Sequence, residues 1–428
     1  MFIGINLARF FLNKNLRFSE SSMKQKLILI GSGMVGVRFL DCLLKILPEQ
    51  YDICVFNKEP NGGYNRIMLS PVLAGEKKLA EIMTHESSWF EEQKIQFLDK
   101  TEIVDIDKNK QTVTSDKGDC YAYDKLVIAT GSTPFILPVP GSDLPSVVAF
   151  RDISDVDCMI EAAKNKKKAV VIGGGLLGLE AANGLIKRGM DVTVVHACDV
   201  LMELQMDEVS GTLLKNSLEA RGMKFKMPVF TSEIVGEDDV MAIKFADGSE
   251  LDTDLVVMTV GIRPNIKIAG KIPLEVNRAI IVNDQLETSV KNIYAIGECT
   301  EHRGKTYGLV APLYEQAQVL AEVLSGQKSS YEGSFTSTKL KVTGINLFSA
   351  GDFNDSEETE SLVYQDLAND IYRKIVLKNN RIQGGVMFGD VTGSNWVFDN
   401  LVSQTDMSAY RDTMLFGDGF EASKRQVN

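Results

Sequence analysis

The sequence predicts an α/β protein: two three-layer units, each built on a parallel sheet, and a smaller C-terminal α+β region. Three observations predict it. A glycine pattern occurs twice, as Gly31-Ser32-Gly33-Met34-Val35-Gly36 and as Gly173-Gly174-Gly175-Leu176-Leu177-Gly178. Each copy follows an apolar β-type run (27–30 and 169–172) and opens a helical pattern (37–47 and 179–188). At 428 residues the chain exceeds a single ordinary core. Glycine is needed where a strand turns sharply into a helix, where backbone must approach a pyrophosphate, and where helix packs closely on strand. The phosphates then meet the free N–H groups of a helix N-terminus. Two such Rossmann-like cradles imply two dinucleotides. A flavin and a nicotinamide are the natural pair, which points to an oxidoreductase.

The elements follow in order. Residues 24–60 read as strand, glycine turn, helix and a second strand at 51–56, a βαβ unit. A loop carries Gly62-Gly63-Tyr64-Asn65-Arg66, and a helical stretch spans about 87–93. Residues 104–107 and 111–115 suggest a β-meander, and the apolar run 126–130 ends in a tight turn at Gly131. Pro134, Pro138, Pro140 and Gly141 mark a linker. The second unit has its second strand at 191–195 and a helix near 209–221. A hairpin at Asp247-Gly248 joins 241–245 to 250–251, and a strand ends in Thr259-Val260-Gly261. Residues 265–330 carry Tyr294-Ala295-Ile296-Gly297-Glu298 and a helical pattern at 313–324. The last part shows β runs at 340–342, 373–377 and 384–388, a turn at 378–381 and a helix at 394–403. The acids of 352–360 read as a solvated loop.

This organisation predicts a flavin-binding domain from 24–147 and 265–330, interrupted by a nicotinamide-binding domain at 148–264. A C-terminal domain at 335–428 is expected to cover the flavin or form an interface. Residues 1–23 hold Arg9, Lys14 and Arg17 against Glu20. They read as a disordered leader, or as sequence upstream of a true start at Met23, in preference to a targeting peptide.

A net charge of -12 counts against nucleic acid and anionic membranes as partners. No apolar run approaches the roughly 20 residues that cross a bilayer. Cys42, Cys54, Cys120, Cys158, Cys198 and Cys299 form no CxxC or CxxxxC pair. That spacing supports neither an iron–sulfur cluster nor zinc. His85, His196 and His302 are dispersed, so no metal is expected. Scattered thiols suit a reducing cytoplasm.

A nucleotide-binding strand usually ends in an acid that grips a ribose hydroxyl. The first unit offers Glu59, after Lys58; in the second that slot holds His196. No Arg or Lys lies between His196 and Met206 to meet a 2′-phosphate, which favours NADH over NADPH. Hydride transfer from nicotinamide to flavin needs stacking geometry and electrostatics more than a general acid.

The two glycine units, the strand ends Ala129-Thr130-Gly131 and Thr259-Val260-Gly261, and the late Gly297-Glu298 resemble the FAD-dependent pyridine-nucleotide oxidoreductases of the glutathione-reductase-like fold. Four segments are closest to the flavin module of the assimilatory NAD(P)H nitrite reductase large subunit. They are 33–36, the loop Tyr64-Asn65-Arg66-Ile67-Met68-Leu69-Ser70, 175–182, and Tyr307-Gly308-Leu309-Val310-Ala311-Pro312. The resemblance covers about 24–400.

It implies that Gly31, Ser32, Gly33, Met34 and Gly36 hold the FAD pyrophosphate with Arg66. Backbone near Ile103 would meet the adenine, and Ala129, Thr130 and Gly131 would border the cofactor. Gly297 and Glu298 would lie along the ribityl chain, Glu298 replacing the family's usual Asp. The helix beginning after Pro312 would aim its positive end at the flavin. Gly173, Gly175, Leu176 and Gly178, with His196 and Gly261, would hold NAD(P)H. Glu180 would sit where nicotinamide stacks on flavin.

Departures from the family pattern narrow the chemistry. No CxxxxC follows the first glycine loop, so no redox-active disulfide is expected. No cysteine stands near Leu69-Ser70, as in peroxide-reducing relatives, and Pro71 replaces a lysine common in rubredoxin and ferredoxin reductases. Cysteines for iron–sulfur and sirohaem domains are absent. The resemblance therefore implies an NAD(P)H-dependent flavoprotein reductase in nitrite or nitrate assimilation. It would pass electrons to a separate redox protein of iron–sulfur, rubredoxin or sirohaem/molybdenum type. Homodimers are common among relatives. The alternatives are a rubredoxin or ferredoxin reductase of another pathway and a non-catalytic FAD/NAD(H) sensor.

Overall fold

The computed structural model describes residues 24–342 and 344–417. The expectation for the leader lies outside them. The first parallel sheet runs in the order Ile293–Ala295, Lys125–Ile128, Gln25–Ile30, Tyr51–Phe56, Gln96–Leu98. Its central strand is buried from Leu27 to Ile30, because both faces are covered and an apolar run is the only stable filling. The helices Met34–Ile46 and Val310–Leu324 pack against each other and supply Phe39, Leu40, Leu43, Ala317 and Leu320 to this core. The meander Ile103–Asp107, Thr112–Ser115, Cys120–Ala122 adds Ile103, Ile106 and Val113.

The second parallel sheet repeats the plan in the order Val147–Ala149, Leu255–Met258, Lys168–Ile172, Asp191–Val195, Lys224–Lys226. Its side chains divide by the two-residue period of a strand. Ala169, Val171, Val192, Val194, Leu255 and Val257 meet the helices Leu176–Lys187 and Glu208–Glu219. Val170, Ile172, Val195, Val256 and Met258 face an antiparallel layer of Thr231–Gly236, Val240–Phe245 and Glu250–Asp252. Helix, parallel sheet and antiparallel sheet make three layers. The chain leaves and re-enters the first unit along a ribbon in which Ser132–Pro134 pairs antiparallel with Ile262–Pro264.

The C-terminal sheet is antiparallel: Ser337–Val342, Ile345–Gly351, Arg381–Phe388, Ile371–Lys378, Glu360–Asp366. The tight turn at Asn379 and Asn380 has both residues at positive φ, 52° and 57°, where asparagine is tolerated. Phe348, Ile375, Leu377 and Met387 pack on Val397 and Leu401 of the helix Ser394–Ser403. Leu347, Tyr372, Val386 and Phe388 join the core that holds Leu73 and Leu185. The Tyr372 hydroxyl donates to Asp207, the residue that caps Glu208–Glu219. This sheet thus leans on the helical face of the second unit.

Three differences from the sequence reading have physical reasons. The helices expected from 37, 179 and 313 begin at Met34, Leu176 and Val310, because Gly33, Gly175 and the extended Leu309 serve as N-caps. Pro312 therefore lies inside the first turn, where its missing N–H costs nothing. The helix Ile153–Asn165 went unread; Asp152 starts it with a side-chain bond to the Asp155 N–H at 3.0 Å. Strands Ile345–Gly351 and Glu360–Asp366 were also missed. The acid run before the latter is tied down, with Asp355 accepting from Lys374 Nζ at 2.9 Å.

Candidate cofactor sites

The two glycine loops are shaped alike, and their three glycines differ in what surrounds them. Gly31 has φ +105°, and a Cβ there would lie 2.3 Å from the Ala129 carbonyl oxygen. A Cβ on Gly36 would lie 2.2 Å from the Gly31 oxygen. In the second loop Gly173 has φ +118° and faces the Thr259 oxygen at 2.5 Å, while Gly178 faces the Gly173 oxygen at 1.9 Å. Packing alone demands these four. Gly33 and Gly175 have nothing within 4 Å of an added Cβ. At those two positions the open space lies where a ligand would approach the backbone.

Both helices that follow lack a side-chain cap and an acid in the first turn. By contrast Asp152 and Asp207 cap Ile153–Asn165 and Glu208–Glu219. Uncapped first turns keep their N–H groups free for an anion. The Ser32 hydroxyl, buried at 2 % exposure, has no partner. These features fit a pyrophosphate at each loop.

Each loop is braced from the end of the neighbouring strand. Ser32 N–H donates to Asn57 Oδ1 at 3.4 Å, and Gly174 N–H donates to His196 Nδ1 at 3.1 Å. Nδ1 is thereby an acceptor and the proton sits on Nε2, which meets the Val200 carbonyl at 3.0 Å. Both ring nitrogens are committed to protein, so His196 supports the loop and offers a ribose no free nitrogen. His196, Cys198 and Glu203 bring donor atoms within 4.8 Å of one another. A cation at Nε2 would first have to displace that proton.

A chain of charges borders the first cradle. Glu59 accepts from the Tyr64 hydroxyl at 2.7 Å and pairs with Arg66. Arg66 also donates to the Arg151 carbonyl at 3.0 Å. Arg151 pairs with Glu298, which accepts from the Ser132 hydroxyl at 2.7 Å. Gly297, at φ +91°, would place a Cβ 3.6 Å from Val35, so its turn lies against the start of the first cradle helix. Its N–H donates to Oε1 of the fully buried Gln316 at 2.8 Å, and Gln316 Nε2 has no partner. Thr130 Oγ1 donates to the Asn265 carbonyl at 2.8 Å, and the Gly131 carbonyl accepts from Asn265 N–H at 2.9 Å. Gly261, at φ +111°, opens the return ribbon. The Ile103 side chain is buried, leaving only its backbone to a ligand.

Glu180 lies on Leu176–Lys187, where the Ser70 hydroxyl of the first unit donates to its carboxylate. Burial raises its pKa, and the Ser70 bond opposes that. Asn57, Ser132, Arg151 and Gln316 were not singled out from the sequence, and Ser70 stood there only as the end of the loop 64–70, without a role. Asn57, just before Lys58 and Glu59, and Ser132, one step past Ala129-Thr130-Gly131, stood beside signals that could have found them. All six cysteines are free thiols, and burial, then Asp52, pushes Cys54 up to about 12.

Residues 25–320 match the family described as pyridine nucleotide-disulphide oxidoreductase. The chain belongs to that family. Residues 337–405 match the rubredoxin NAD+ reductase C-terminal domain. This oxidoreductase is 49% identical over 386 residues to "Nitrite reductase [NAD(P)H]" of Bacillus subtilis, covering 90% of this chain and 48% of the relative. It is 42% identical to the "Assimilatory nitrate reductase electron transfer subunit" of the same organism, covering 90% and 50%. It thus spans about half the length of these curated relatives. The crystal structure of NADH:rubredoxin oxidoreductase from Clostridium acetobutylicum superposes with a TM-score of 0.77 at 28% identity, covering 90% of this chain and 97% of that one. Membership makes the chain an oxidoreductase of FAD and a pyridine nucleotide, the pair for which the cradles were read. No helix among the described residues is long and apolar enough to cross a membrane.

Proposed function

We propose that the chain is the NAD(P)H-oxidising, FAD-containing electron-transfer component of nitrite or nitrate assimilation, working in the cytoplasm and handing electrons to a separate redox protein. The observation that carries this reading is the pair of cradles, each open only at its middle glycine, Gly33 and Gly175. The likeness to the two Bacillus subtilis proteins supplies the setting. When bound, FAD accepts a hydride from the nicotinamide and releases electrons to an acceptor.

In this reading 24–147 with 265–330 holds FAD and 148–264 holds the pyridine nucleotide. Gly31, Ser32, Gly33, Met34 and Gly36 would cradle the FAD pyrophosphate, with the Ser32 hydroxyl gaining its missing partner there. Glu59 would take the adenosine ribose, oriented by Tyr64 and Arg66. Arg151 would hold Glu298 in place beside the ribityl chain, and Ala129, Thr130 and Gly131 would form the adjoining wall. The N-terminus of Val310–Leu324 has no side-chain cap and no acid in its first turn. Its free N–H groups would favour negative charge on the adjacent ring. Gly173, Gly175, Leu176 and Gly178 would cradle the second pyrophosphate, His196 bracing them from below and Gly261 closing the far side. Glu180, with Ser70, would position the nicotinamide.

The match of 337–405 to the rubredoxin NAD+ reductase C-terminal domain favours a second reading, a reductase whose acceptor is rubredoxin. Steady-state oxidation of NADH and NADPH with purified rubredoxin, or with a nitrate or nitrite reductase catalytic subunit, decides between them. Efficient turnover with the catalytic subunit supports the first reading. Turnover with rubredoxin alone supports the second, and turnover with neither contradicts both.

A further inference from the structure

The second cradle lacks the acid that the first one has. In the first unit Asn57 braces the loop and Glu59 follows two residues later. In the second, His196 takes the place of Asn57, and the residue two positions on is Cys198, a poor acceptor. The chain then doubles back beneath the glycine loop. Met202, at φ +53°, donates its N–H to the Gly174 carbonyl at 3.0 Å. The next residue, Glu203, brings Oε2 to 3.3 Å from His196 Nε2. Gly174, His196 and Glu203 are thus joined in one cluster at the strand end where a ribose is gripped in this fold.

The surrounding charge is negative. Asp199 flanks the turn, and no Arg or Lys occurs from 197 to 206. Lys226, on the adjacent strand, is engaged elsewhere: its Nζ lies 3.8 Å from Asp247 and 4.9 Å from the Phe245 ring centre. Glu203 keeps 39% of its side chain exposed, so its carboxylate lies beside His196 and is reachable by a ligand.

We propose that Glu203, set beside His196 by the turn at Met202, is the residue that accepts the adenosine ribose hydroxyls of NADH and repels the 2′-phosphate of NADPH. The inference rests on the proposed reading that 173–178 cradles the pyridine nucleotide. It assigns the selecting carboxylate to a turn five residues past Cys198, the position that matches Glu59.

The test is equilibrium titration of the FAD-loaded protein with NADH and with NADPH, for wild type, Glu203→Ala and Glu203→Arg. Each variant should remain yellow, because the FAD cradle lies in the other unit; that colour reports an intact flavin-binding unit, and retained binding of either nucleotide reports an intact second unit. The wild type is expected to prefer NADH by about tenfold or more, a difference of about 1.4 kcal/mol. Glu203→Ala should bring the two affinities within roughly threefold, and Glu203→Arg should reverse the order by supplying a phosphate partner. Equal affinities in the wild type, or an unchanged ratio in Glu203→Ala, overturn the assignment. A yellow wild type that binds neither nucleotide overturns the parent reading, an outcome distinct from both.

Discussion

Ser70 donates its hydroxyl to the carboxylate of Glu180 across 110 positions of sequence, tying the short helix Leu69–Leu73 of the first unit to Leu176–Lys187 of the second. Burial is the larger influence on Glu180 and raises its pKa. The folded protein therefore holds this proton more tightly than the unfolded chain does. Stability from this group falls as pH rises through the window between the ordinary glutamate range and the raised value. Glu180→Gln should melt like the wild type below that window and at a higher temperature above it. Thermal unfolding from acid to neutral pH, followed by circular dichroism, measures the difference; parallel curves contradict it.

The cradles should fail separately. Gly36→Ala drives a methyl to within 2.2 Å of backbone oxygen and should yield protein that no longer retains FAD. Gly178→Ala meets backbone oxygen at 1.9 Å and should yield protein that stays yellow but loses affinity for NADH. Flavin absorbance after gel filtration, with NADH titration of whatever remains coloured, reads both outcomes.

His196 acts as a brace, so an amide should replace it. His196→Asn can still accept from Gly174 N–H, as Asn57 does from Ser32. It should retain most NADH affinity. His196→Ala leaves a buried N–H without a partner, a cost of about 1–3 kcal/mol. Its NADH dissociation constant should rise about tenfold or more, with FAD content unchanged.

Gln316→Leu removes the acceptor of the Gly297 N–H while preserving side-chain size. Loss of about 1–3 kcal/mol of stability is expected, with weaker FAD retention because the Gly297-Glu298 turn loses its anchor. Urea unfolding of the apoprotein and FAD titration measure the two effects independently.

The parts legible from sequence were those whose chemistry is local. The glycine loops announce themselves, because each first and third glycine answers a clash that can be named in advance. The Asp247-Gly248 hairpin and the turn at Asn379-Asn380 are likewise written in residue types that tolerate positive φ. What the sequence hid depends on distant partners. His196 occupied the expected ribose slot, yet nothing local shows that its ring turns towards Gly174. Arg151 sits in a connection and becomes meaningful only when folding brings Glu298 to it. Gln316 looks like a polar interruption of an apolar helix face until Gly297 is placed beside it. The Glu360–Asp366 strand was hidden by the acids before it, two of which, Asp355 and Glu358, pair with Lys374 and Lys378 of the next strand.

In the proposed function, electrons cross this chain from a nicotinamide to FAD with no thiol store between or beside them. Anaerobic titration of the FAD-loaded protein with NADH tests it most directly, following the flavin absorbance to its end point. Complete bleaching at a single equivalent of NADH per FAD is expected, unchanged after the cysteines are alkylated. A requirement for a second equivalent, a loss of bleaching on alkylation, or no bleaching at all would contradict it.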